Sequence, residues 1–587
     1  MVANKNGELI PKRIDDKLPI KLNSKESKSL VEGDLIKVKL PLDSNNGVFE
    51  AELVEVIGHR NDPDIDIRAI AASKDIPLEF SKEYLDALEK IPTEVREEDY
   101  KDRIDLRDEN IFTIDSIHTK DMDDAISIRK LGNGNYELGV HIADVAHYIK
   151  PNSHLFKEAL IRGTSVYLGE VVIPMVPSIL SNGILSLNEG VDRLTKSCIM
   201  EINPKGKVVK HKIVDSVIKS KKKMTYEELN ELFKGNPVDE SYLPFIEDLI
   251  IMRELSNLLT KLKKGKGHIN FESSDINIKK DIYNEDKILE FERKNQEESE
   301  KIIENFMIMA NETVAEDFYW RETPFIYRTH DTPEEMKLED TIEQIKELGL
   351  GKKLARIQNA YDNKAIQGIL DSYKETPVYS VVSNLLLRSM AKAKYSTERD
   401  IGHFALALKY YCHFTSPIRR FPDLMVHTLI NRYNSKNAKC NHLEKLNTEL
   451  ATIASHSSYK ERQADDAEKD YIKLKMAEYM AEHKDEEFEG IILDIDKDKV
   501  FIKLDNNVKC LLDSTGNFAL SFDPDYYKKT LLCKYSKQKV KLGTRVSVTV
   551  SSVDIPQKEV YVDIKEIIKE NNNPKIKKLE MKNNMIT

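Results

Sequence analysis

Four aspartates crowd into the stretch from Ile114 to Ala125, between two segments whose pattern predicts β-strands. The four are Asp115, Asp121, Asp123 and Asp124. Like charges this close repel one another, so they stay ionised together only in water or beside a cation. The fold must therefore keep this loop solvated or wrap it around a hard ion such as Mg²⁺ or Mn²⁺, which prefers oxygen ligands. A calcium loop of the EF-hand type fits poorly, because the central glycine and closing glutamate are missing.

Length and composition predict several domains. The chain has 587 residues, which at roughly 150 residues per domain predicts about three or four. A hydrophobic share of 40% can build real cores, and a charged share of 32% excludes collagen and a membrane bundle. The sequence has no apolar run of about 18 residues and no apolar signal core, so we expect neither a transmembrane helix nor export. The five cysteines lack metal-binding spacing and predict free thiols in a reducing cytosol.

The formal charge is −10 at pH 7, which by itself argues against a nucleic-acid partner. Binding needs only a local basic path, however, and not a basic protein. Lysines do cluster in three runs, at 218–223, 261–266 and 528–541. For any single run, a solvated helix or loop face is the simpler interpretation.

Strand and helix patterns divide the chain into regions. The segments 48–57 and 65–71 have strand patterns, and 441–483 predicts one long helix or a pair of helices. In chain order we predict a small β-barrel at 1–75, a charged linker at 76–109, a large domain of strands and then helices at 110–485, a second β-patterned region at 486–566, and a disordered tail at 567–587.

A second segment, from Tyr411 to Asp423, places two arginines just before a predicted helix. Arg419 and Arg420 precede Pro422, which suits the first turn of a helix. Phosphoryl transfer needs a cation beside the phosphate, because negative charge grows on the phosphorus oxygens. On this segment alone, a surface salt bridge explains the arginines equally well.

Together these segments resemble the ribonuclease II/R family of 3′→5′ exoribonucleases. The motifs occur in the family's order and lie at 114–125, 140–145, 163–168, 172–177, 180–188, 402–407 and 413–423. The form Phe-Thr-Ser-Pro-Ile-Arg-Arg looks more like ribonuclease R than ribonuclease II. The start of the chain resembles the family's cold-shock OB fold, and the region from Phe488 resembles its S-one OB fold. The resemblance implies a multidomain α+β chain, with a central mixed α/β catalytic domain flanked by OB-fold β-barrels.

The resemblance also implies roles for individual residues. The family's metal-site aspartates match Asp115, Asp121, Asp123 and Asp124, and Asp123 occupies the position whose loss usually abolishes hydrolysis. Arg419 matches the arginine that steadies the phosphate under attack. Tyr167 matches the aromatic residue that holds the 3′-terminal nucleotide, and Phe271 matches a phenylalanine that stacks on a base. Tyr226 and Glu304 match positions that recognise ribose. Glu461 matches a carboxylate near the RNA end. Without the resemblance, Tyr167 and Phe271 read as core aromatics and Glu304 as a paired core carboxylate.

The implied activity is Mg²⁺-dependent hydrolysis of RNA to nucleoside 5′-monophosphates, with Mn²⁺ as a substitute. The implied substrate is single-stranded RNA or RNA with a 3′ overhang, degraded by a cytoplasmic monomer that needs no membrane. Two other classes stay open: a catalytically silent RNA-binding protein of the same fold, and a structural divalent-ion domain. The first would have lost an aspartate or the arginine, and the second leaves the Arg419 segment without a role.

The sequence departs from the family pattern at one place near the aspartates. His118 and Thr119 stand where the family usually has an Asp-Ala pair, so one nearby carboxylate is missing. A helix-turn-helix region, common in ribonuclease R, is also not visible in the sequence. We therefore expect the chemistry of the family without a prediction about structured RNA.

Overall fold

The computed structural model describes residues 2–5, 8–11, 19–22, 29–43, 47–271, 276–281, 287–293, 296–346, 348, 362–434, 443–496, 499–516, 518–523, 528–535 and 539–568. Among these residues, no helix combines the length and apolar character needed to cross a membrane. The tail predicted at 567–587 lies outside the described residues from position 569 onward.

The N-terminal region begins with strands and continues into short helices. A three-stranded sheet has β5 at its centre, parallel to β3 and antiparallel to β4. The elements are β1 (Val2–Lys5), β2 (Glu8–Pro11), β3 (Ile20–Leu22), β4 (Asp34–Lys39), β5 (Phe49–His59), α1 (Ile65–Ser73), α2 (Lys82–Leu88) and α3 (Glu97–Tyr100).

The strand predicted at 65–71 was wrong, because this segment forms helix α1. Ile65 and Ile67 alternate with polar residues as in a strand. Tertiary packing decides otherwise, since Ile67, Ile70 and Ala71 lie on one helical face and are buried in a shared cluster with Ala467 of the long helix described below.

The central region is built on a five-stranded sheet in the order β6-β13-β12-β9-β8. All its pairings are antiparallel except that of β6 with β13. The strands of this region are β6 (Ile104–Asp105), β7 (Thr113–Asp115), β8 (Asp124–Lys130), β9 (Tyr136–Ala143), β10 (Val166–Leu168), β11 (Val171–Ile173), β12 (Asp192–Ile202), β13 (Val208–Lys219), β14 (Lys223–Thr225), β15 (Ile276–Lys280), β16 (Ile288–Arg293), β17 (Tyr327–Thr329) and β18 (Lys394–Ser396).

Helices cover this sheet and share one hydrophobic core with it. The core includes Val140 on β9 and, on helices, Leu249, Phe306 and Leu424, all fully or almost fully buried. The helices are α4 (Val145–Tyr148), α5 (His154–Arg162), α6 (Ser178–Ser181), α7 (Tyr226–Lys234), a 3-10 helix (Glu240–Phe245), α8 (Ile246–Lys266), α9 (Glu298–Trp320), α10 (Glu335–Ile345), α11 (Asn363–Tyr373), α12 (Tyr379–Ser389), α13 (Phe421–Asn434) and α14 (Leu443–Glu482). The pattern at 441–483 thus forms one helix of 40 residues and not a pair.

The C-terminal region contains a closed barrel in the order β19-β20-β21-β26-β25. Phe291 of the β15–β16 hairpin and Met480 of α14 are buried in the hydrophobic cluster of this barrel. The strands are β19 (Glu487–Asp496), β20 (Lys499–Leu504), β21 (Lys509–Leu512), β22 (Phe518–Asp523), β23 (Lys528–Cys533), β24 (Lys539–Val540), β25 (Arg545–Asp554) and β26 (Glu559–Ile567). The predicted α+β class is confirmed, whereas the predicted domain limits stay predictions.

Candidate active site

The aspartates lie where two strands of different sheets meet. Asp115 ends β7, which pairs in parallel with β14, and Asp124 begins β8 at the edge of the central sheet. Ser186 holds the loop between them, because its hydroxyl donates to the Lys120 carbonyl at 2.8 Å and accepts from the Met122 N–H at 3.0 Å. The loop therefore has a defined path although it is irregular.

Asp123 is buried, with 5% of its side chain exposed. Its Oδ1 accepts a hydrogen bond from the Ile418 N–H at 2.8 Å, and its Oδ2 lies 3.7 Å from Nε of Arg419. Arg419 is 41% exposed, so its guanidinium lies between a buried carboxylate and solvent. The structure thus brings the two sequence motifs together across 295 positions of the chain.

All four carboxylates have raised pKa values. Burial is the main cause in each case. It raises the pKa of Asp124 to about 6. It also raises the pKa values of Asp115, Asp121 and Asp123 above the ordinary value of an aspartate. Repulsion from Asp124 and Asp123 raises the pKa of Asp115 further, whereas Lys223 lowers it. The charged forms are therefore unfavourable without a compensating cation.

The residues fit a divalent metal ion by their chemistry. One buried oxygen, Oδ2 of Asp115, has no hydrogen-bond partner, and the surrounding groups are hard carboxylate oxygens. The described residues contain no group of three His, Cys, Asp or Glu side chains already arranged to hold an ion. Asp115, Asp121, Asp123 and Asp124 are the residues that would hold one, after adjustment of their side chains.

Two tyrosines predicted from the sequence lie beside the carboxylates. Tyr167 on β10 is 36% exposed, and burial together with Asp121 and Asp123 raises its pKa to about 12, although Arg419 opposes this. Tyr226 follows β14 directly, and burial together with Asp124 and Asp115 raises its pKa strongly. An accessible aromatic ring beside a phosphate site can stack on a nucleobase.

Three other predicted residues have partners of their own. Phe271 packs, half-buried, against a hydrophobic cluster formed mainly by α10, α11 and α12. Glu304 on α9 pairs with Lys263 at 3.4 Å and accepts from the Gln296 side chain at 2.6 Å. Glu461 on α14 pairs with Arg328 at 2.5 Å. Their roles in RNA binding stay predictions.

Three residues of the site had no role in the sequence prediction. Ser186 fixes the aspartate loop, and Nζ of Lys223 donates to the carbonyl of Thr119 in the same loop at 2.6 Å. Asp423 accepts hydrogen bonds from the segment that carries Arg419. Ser186 and Asp423 lie within motifs that support the family resemblance, and this was their only sequence signal.

Comparison with protein families identifies the class. The family described as RNB domain matches residues 103–436, and the family described as cold shock domain matches residues 11–81. The RNB match covers the aspartate loop and the Arg419 segment together. The chain therefore belongs to the RNB domain family, which confirms the predicted resemblance to ribonucleases II and R.

Among individual proteins, the chain is similar to ribonucleases R. It is 42% identical to ribonuclease R 1 of Lactococcus lactis over 504 residues, which are 86% of this chain and 61% of that protein. It is 42% identical to ribonuclease R of Thermotoga maritima over 486 residues, 81% of this chain and 66% of that protein. The chain thus spans less than two thirds of the length of these relatives.

A solved structure supports the same relationship. The structure of Mycoplasma genitalium ribonuclease R in complex with ribose-methylated single-stranded RNA superposes with a TM-score of 0.87 at 27% identity. The match covers 96% of this chain and 88% of that chain. The predicted fold class, with an RNB domain and a cold-shock region, is confirmed by this agreement.

Proposed function

We propose that this chain is a 3′→5′ exoribonuclease that hydrolyses RNA to nucleoside 5′-monophosphates. The observation that carries the proposal is the buried Asp123, whose carboxylate lies 3.7 Å from the half-exposed Arg419 within a cluster of four aspartates. This pairing of a cation-binding carboxylate cluster with a solvent-facing guanidinium suits an attack on a phosphodiester. The similarity to ribonucleases R supports the same activity.

We propose Mg²⁺ as the cofactor, with Mn²⁺ as a substitute, because hard oxygen ligands prefer these ions. When bound, the ion supplies a Lewis acid that lowers the pKa of water and offsets the charge of the phosphate. Asp115, Asp121, Asp123 and Asp124 would hold it. One oxygen of the Asp123 carboxylate accepts a hydrogen bond from the Ile418 N–H. This bond orients the other oxygen towards Arg419.

The protein residues then have complementary roles at the scissile phosphate. Arg419 stabilises the negative charge that grows on the phosphorus oxygens during in-line attack by water. The leaving group is the 3′ oxygen of the penultimate ribose, so a 5′-monophosphate departs. Tyr167 stacks on the terminal base, and a stacking contact of this kind contributes about 1–3 kcal/mol per base.

The remaining assignments concern RNA beyond the last nucleotide. We propose that Phe271 stacks on a base, that Tyr226 and Glu304 contact ribose, and that Glu461 lies near the RNA end. Contacts to 2′-hydroxyl groups select RNA over DNA. The proposed substrate is single-stranded RNA or RNA with a 3′ overhang, which is consistent with the RNA-bound relative. We also propose a monomer that acts in the cytoplasm.

The test is a product analysis that separates hydrolysis from phosphorolysis. The purified chain is incubated with single-stranded RNA and Mg²⁺ in heavy-oxygen water without added phosphate. We expect nucleoside 5′-monophosphates that each carry one labelled oxygen, and we expect EDTA to abolish their release. An identical digest with the Arg419→Ala variant serves as the matched control and should be slower by about a hundredfold or more.

The alternatives give different outcomes in the same digest. Nucleoside diphosphates, or a strict need for phosphate, would overturn the hydrolytic mechanism. RNA binding without any product would indicate a catalytically silent RNA-binding protein.

A further inference from the structure

The segment that carries Arg419, residues 414–420, is here called the arginine loop. Its inner side is held by Asp423 in the first turn of α13, a residue with no exposed surface. Oδ1 of Asp423 accepts hydrogen bonds from the Ser416 N–H at 2.8 Å and from Nη2 of Arg420 at 2.7 Å. One carboxylate therefore ties the middle of the loop to its end.

The next turn of the same helix holds the start of the loop. His427, four positions after Asp423, is fully buried, and its Nε2 donates to the carbonyl of Phe414 at 2.8 Å. Burial is the main cause that lowers the pKa of His427 to about 4, with Lys196 adding to it, so the ring is neutral. Asp423 and His427 thus lie on one face of α13. Asp423 bonds the middle and the end of the arginine loop, and His427 bonds its start.

The outer side of the loop is held by residues 163–165, the segment just before β10. The Arg419 carbonyl accepts from the Ser165 N–H at 2.9 Å and from the Thr164 hydroxyl at 3.1 Å. The Phe421 N–H donates to the Gly163 carbonyl at 2.9 Å. The Arg419 carbonyl and the Phe421 N–H are therefore both bonded to residues 163–165, which holds the backbone at the end of the arginine loop.

The two neighbouring arginines have opposite surroundings. Arg420 is 18% exposed and its charge is paired with the buried Asp423. Arg419 is 41% exposed and has the Ser416 hydroxyl as an acceptor at 3.1 Å, besides facing Asp123. Arg420 is thus paired with Asp423, whereas Arg419 is the one of these two arginines whose guanidinium faces Asp123.

We propose that Asp423 is a positioning residue. It directs Arg419 at the scissile phosphate because it accepts a hydrogen bond from the Ser416 N–H and pairs with the neighbouring Arg420. This inference rests on the proposed hydrolytic function. Asp423 touches neither the carboxylate cluster nor a position open to substrate, because it is fully buried under the loop. The same loop carries the Ile418 N–H that bonds Asp123, so the proposal is specifically that the effect of Asp423 passes through Arg419 and not through Ile418.

A double-mutant cycle tests this transmission. The rate of 5′-monophosphate release from single-stranded RNA is measured for the wild type, Asp423→Asn, Arg419→Ala and the double variant, with kcat and KM determined separately. We expect Asp423→Asn to lower kcat by about a hundredfold, the cost of misplacing a group by about 1 Å, while KM changes by less than about threefold. In the Arg419→Ala background, the same substitution should lower kcat by less than about threefold, because the side chain that Asp423 is proposed to position is absent.

Two further variants keep the experiment decisive. Asp317→Asn removes another aspartate that pairs with an arginine, Arg321 at 2.7 Å, but lies on α9, and it should leave kcat unchanged. Asp423→Glu keeps the charge that Arg420 needs and shifts the loop by one methylene, so it serves if the Asn variant does not fold. It should lower kcat by about tenfold or more, again without effect when Arg419 is absent.

The outcomes distinguish the inference from the function on which it rests. If Asp423→Asn folds and lowers kcat equally with and without Arg419, or leaves kcat unchanged, the positioning role is wrong. If the wild type releases no 5′-monophosphate, the proposed function itself is wrong.

Discussion

At the residue scale, burial and pairing separate the roles of chemically identical side chains. Asp123 and Asp423 are both buried aspartates that accept a backbone hydrogen bond and have an arginine nearby. Asp123 faces a guanidinium open to solvent, whereas Asp423 faces one that is enclosed. The first arrangement leaves charge available for a substrate, and the second uses it to hold the backbone.

The first prediction concerns Asp123. Asp123→Asn is nearly isosteric and keeps an acceptor for the Ile418 N–H, but it removes a negative charge that would face the proposed cation. We expect the rate of hydrolysis at saturating RNA to fall by at least about a hundredfold. RNA affinity should stay the same or increase, because less negative charge faces the phosphates. Single-turnover kinetics and equilibrium binding measure the two effects, and near-normal hydrolysis would contradict the role of Asp123.

The second prediction concerns the buried His141 on β9. Its ring nitrogens pair with the hydroxyls of Ser127 at 2.9 Å and Ser197 at 2.6 Å, and burial lowers its pKa from 6.5 to about 3. The unfolded chain therefore binds one more proton than the folded chain between these pH values. Stability from this residue is complete above about pH 6.5 and is lost as the pH falls, at up to about 1.4 kcal/mol per pH unit.

The measurement is the free energy of unfolding by urea, followed against pH for the wild type and for His141→Gln. The glutamine keeps hydrogen-bonding capacity and does not titrate. The difference between the two proteins should therefore fall steadily with acidification below about pH 6.5. A difference that does not depend on pH would show that His141 is accessible to protons in the folded state.

At the scale of elements, the β15–β16 hairpin links the central region to the C-terminal barrel. Phe291 is 1% exposed within the barrel's hydrophobic cluster and contacts the Tyr479 ring at a centroid distance of 5.4 Å. The Phe291 carbonyl also accepts from the Asn507 side chain at 2.9 Å. These contacts hold the barrel against the hairpin, in addition to the covalent link between the barrel and α14.

The third prediction tests this fastening. Phe291→Ala removes a buried aromatic ring, a change that typically costs about 3–5 kcal/mol. We expect the barrel to separate more often from the hairpin, so limited proteolysis should cut within the hairpin at least about tenfold faster than in the wild type. Leu289→Ala in the same strand is the matched control, because Leu289 is 43% exposed. Equal cleavage of Phe291→Ala and the control would contradict the role of the ring.

At the scale of the whole molecule, the proposed catalytic groups and the terminal β-structures belong to separate regions. The aspartates and Arg419 come from the central region, and the closed barrel contributes none of them. If the barrel binds RNA phosphates at a distance from the chemistry, its loss should affect affinity more than rate.

The fourth prediction follows from this separation. Deletion of the residues after Glu486 should weaken RNA binding. The slope of log affinity against log salt concentration should become shallower by about 0.7 for each single-strand phosphate contact that is lost. The rate at saturating RNA should change by much less. Thermal unfolding of the remaining chain controls for the newly exposed Met480 and Phe291. Unchanged affinity and salt slope would show that the barrel does not hold RNA.

The sequence alone predicted the features that depend on local pattern. The four aspartates within ten residues, the two arginines before a helix and the order of the motifs were sufficient to recognise the family. The roles of Asp123 and Arg419 were implied by that resemblance and stay predictions. The strand pattern at the C-terminus likewise predicted β-structure there. Local charge density and hydrophobic period are properties of neighbouring residues, so they can be read without a fold.

The tertiary structure decided the features that depend on residues distant in the chain. Segment 65–71 alternates like a strand, yet it is a helix because Ile67, Ile70 and Ala71 pack against α14. Ser186 reaches the aspartate loop from 66 positions away, and Thr164 reaches Arg419 from 255. No sequence period encodes such contacts, because they arise only when separate elements pack together. The sequence by itself therefore determined which chemical groups this protein has, and only packing decided which carboxylate faces an open arginine and which one holds the loop in place.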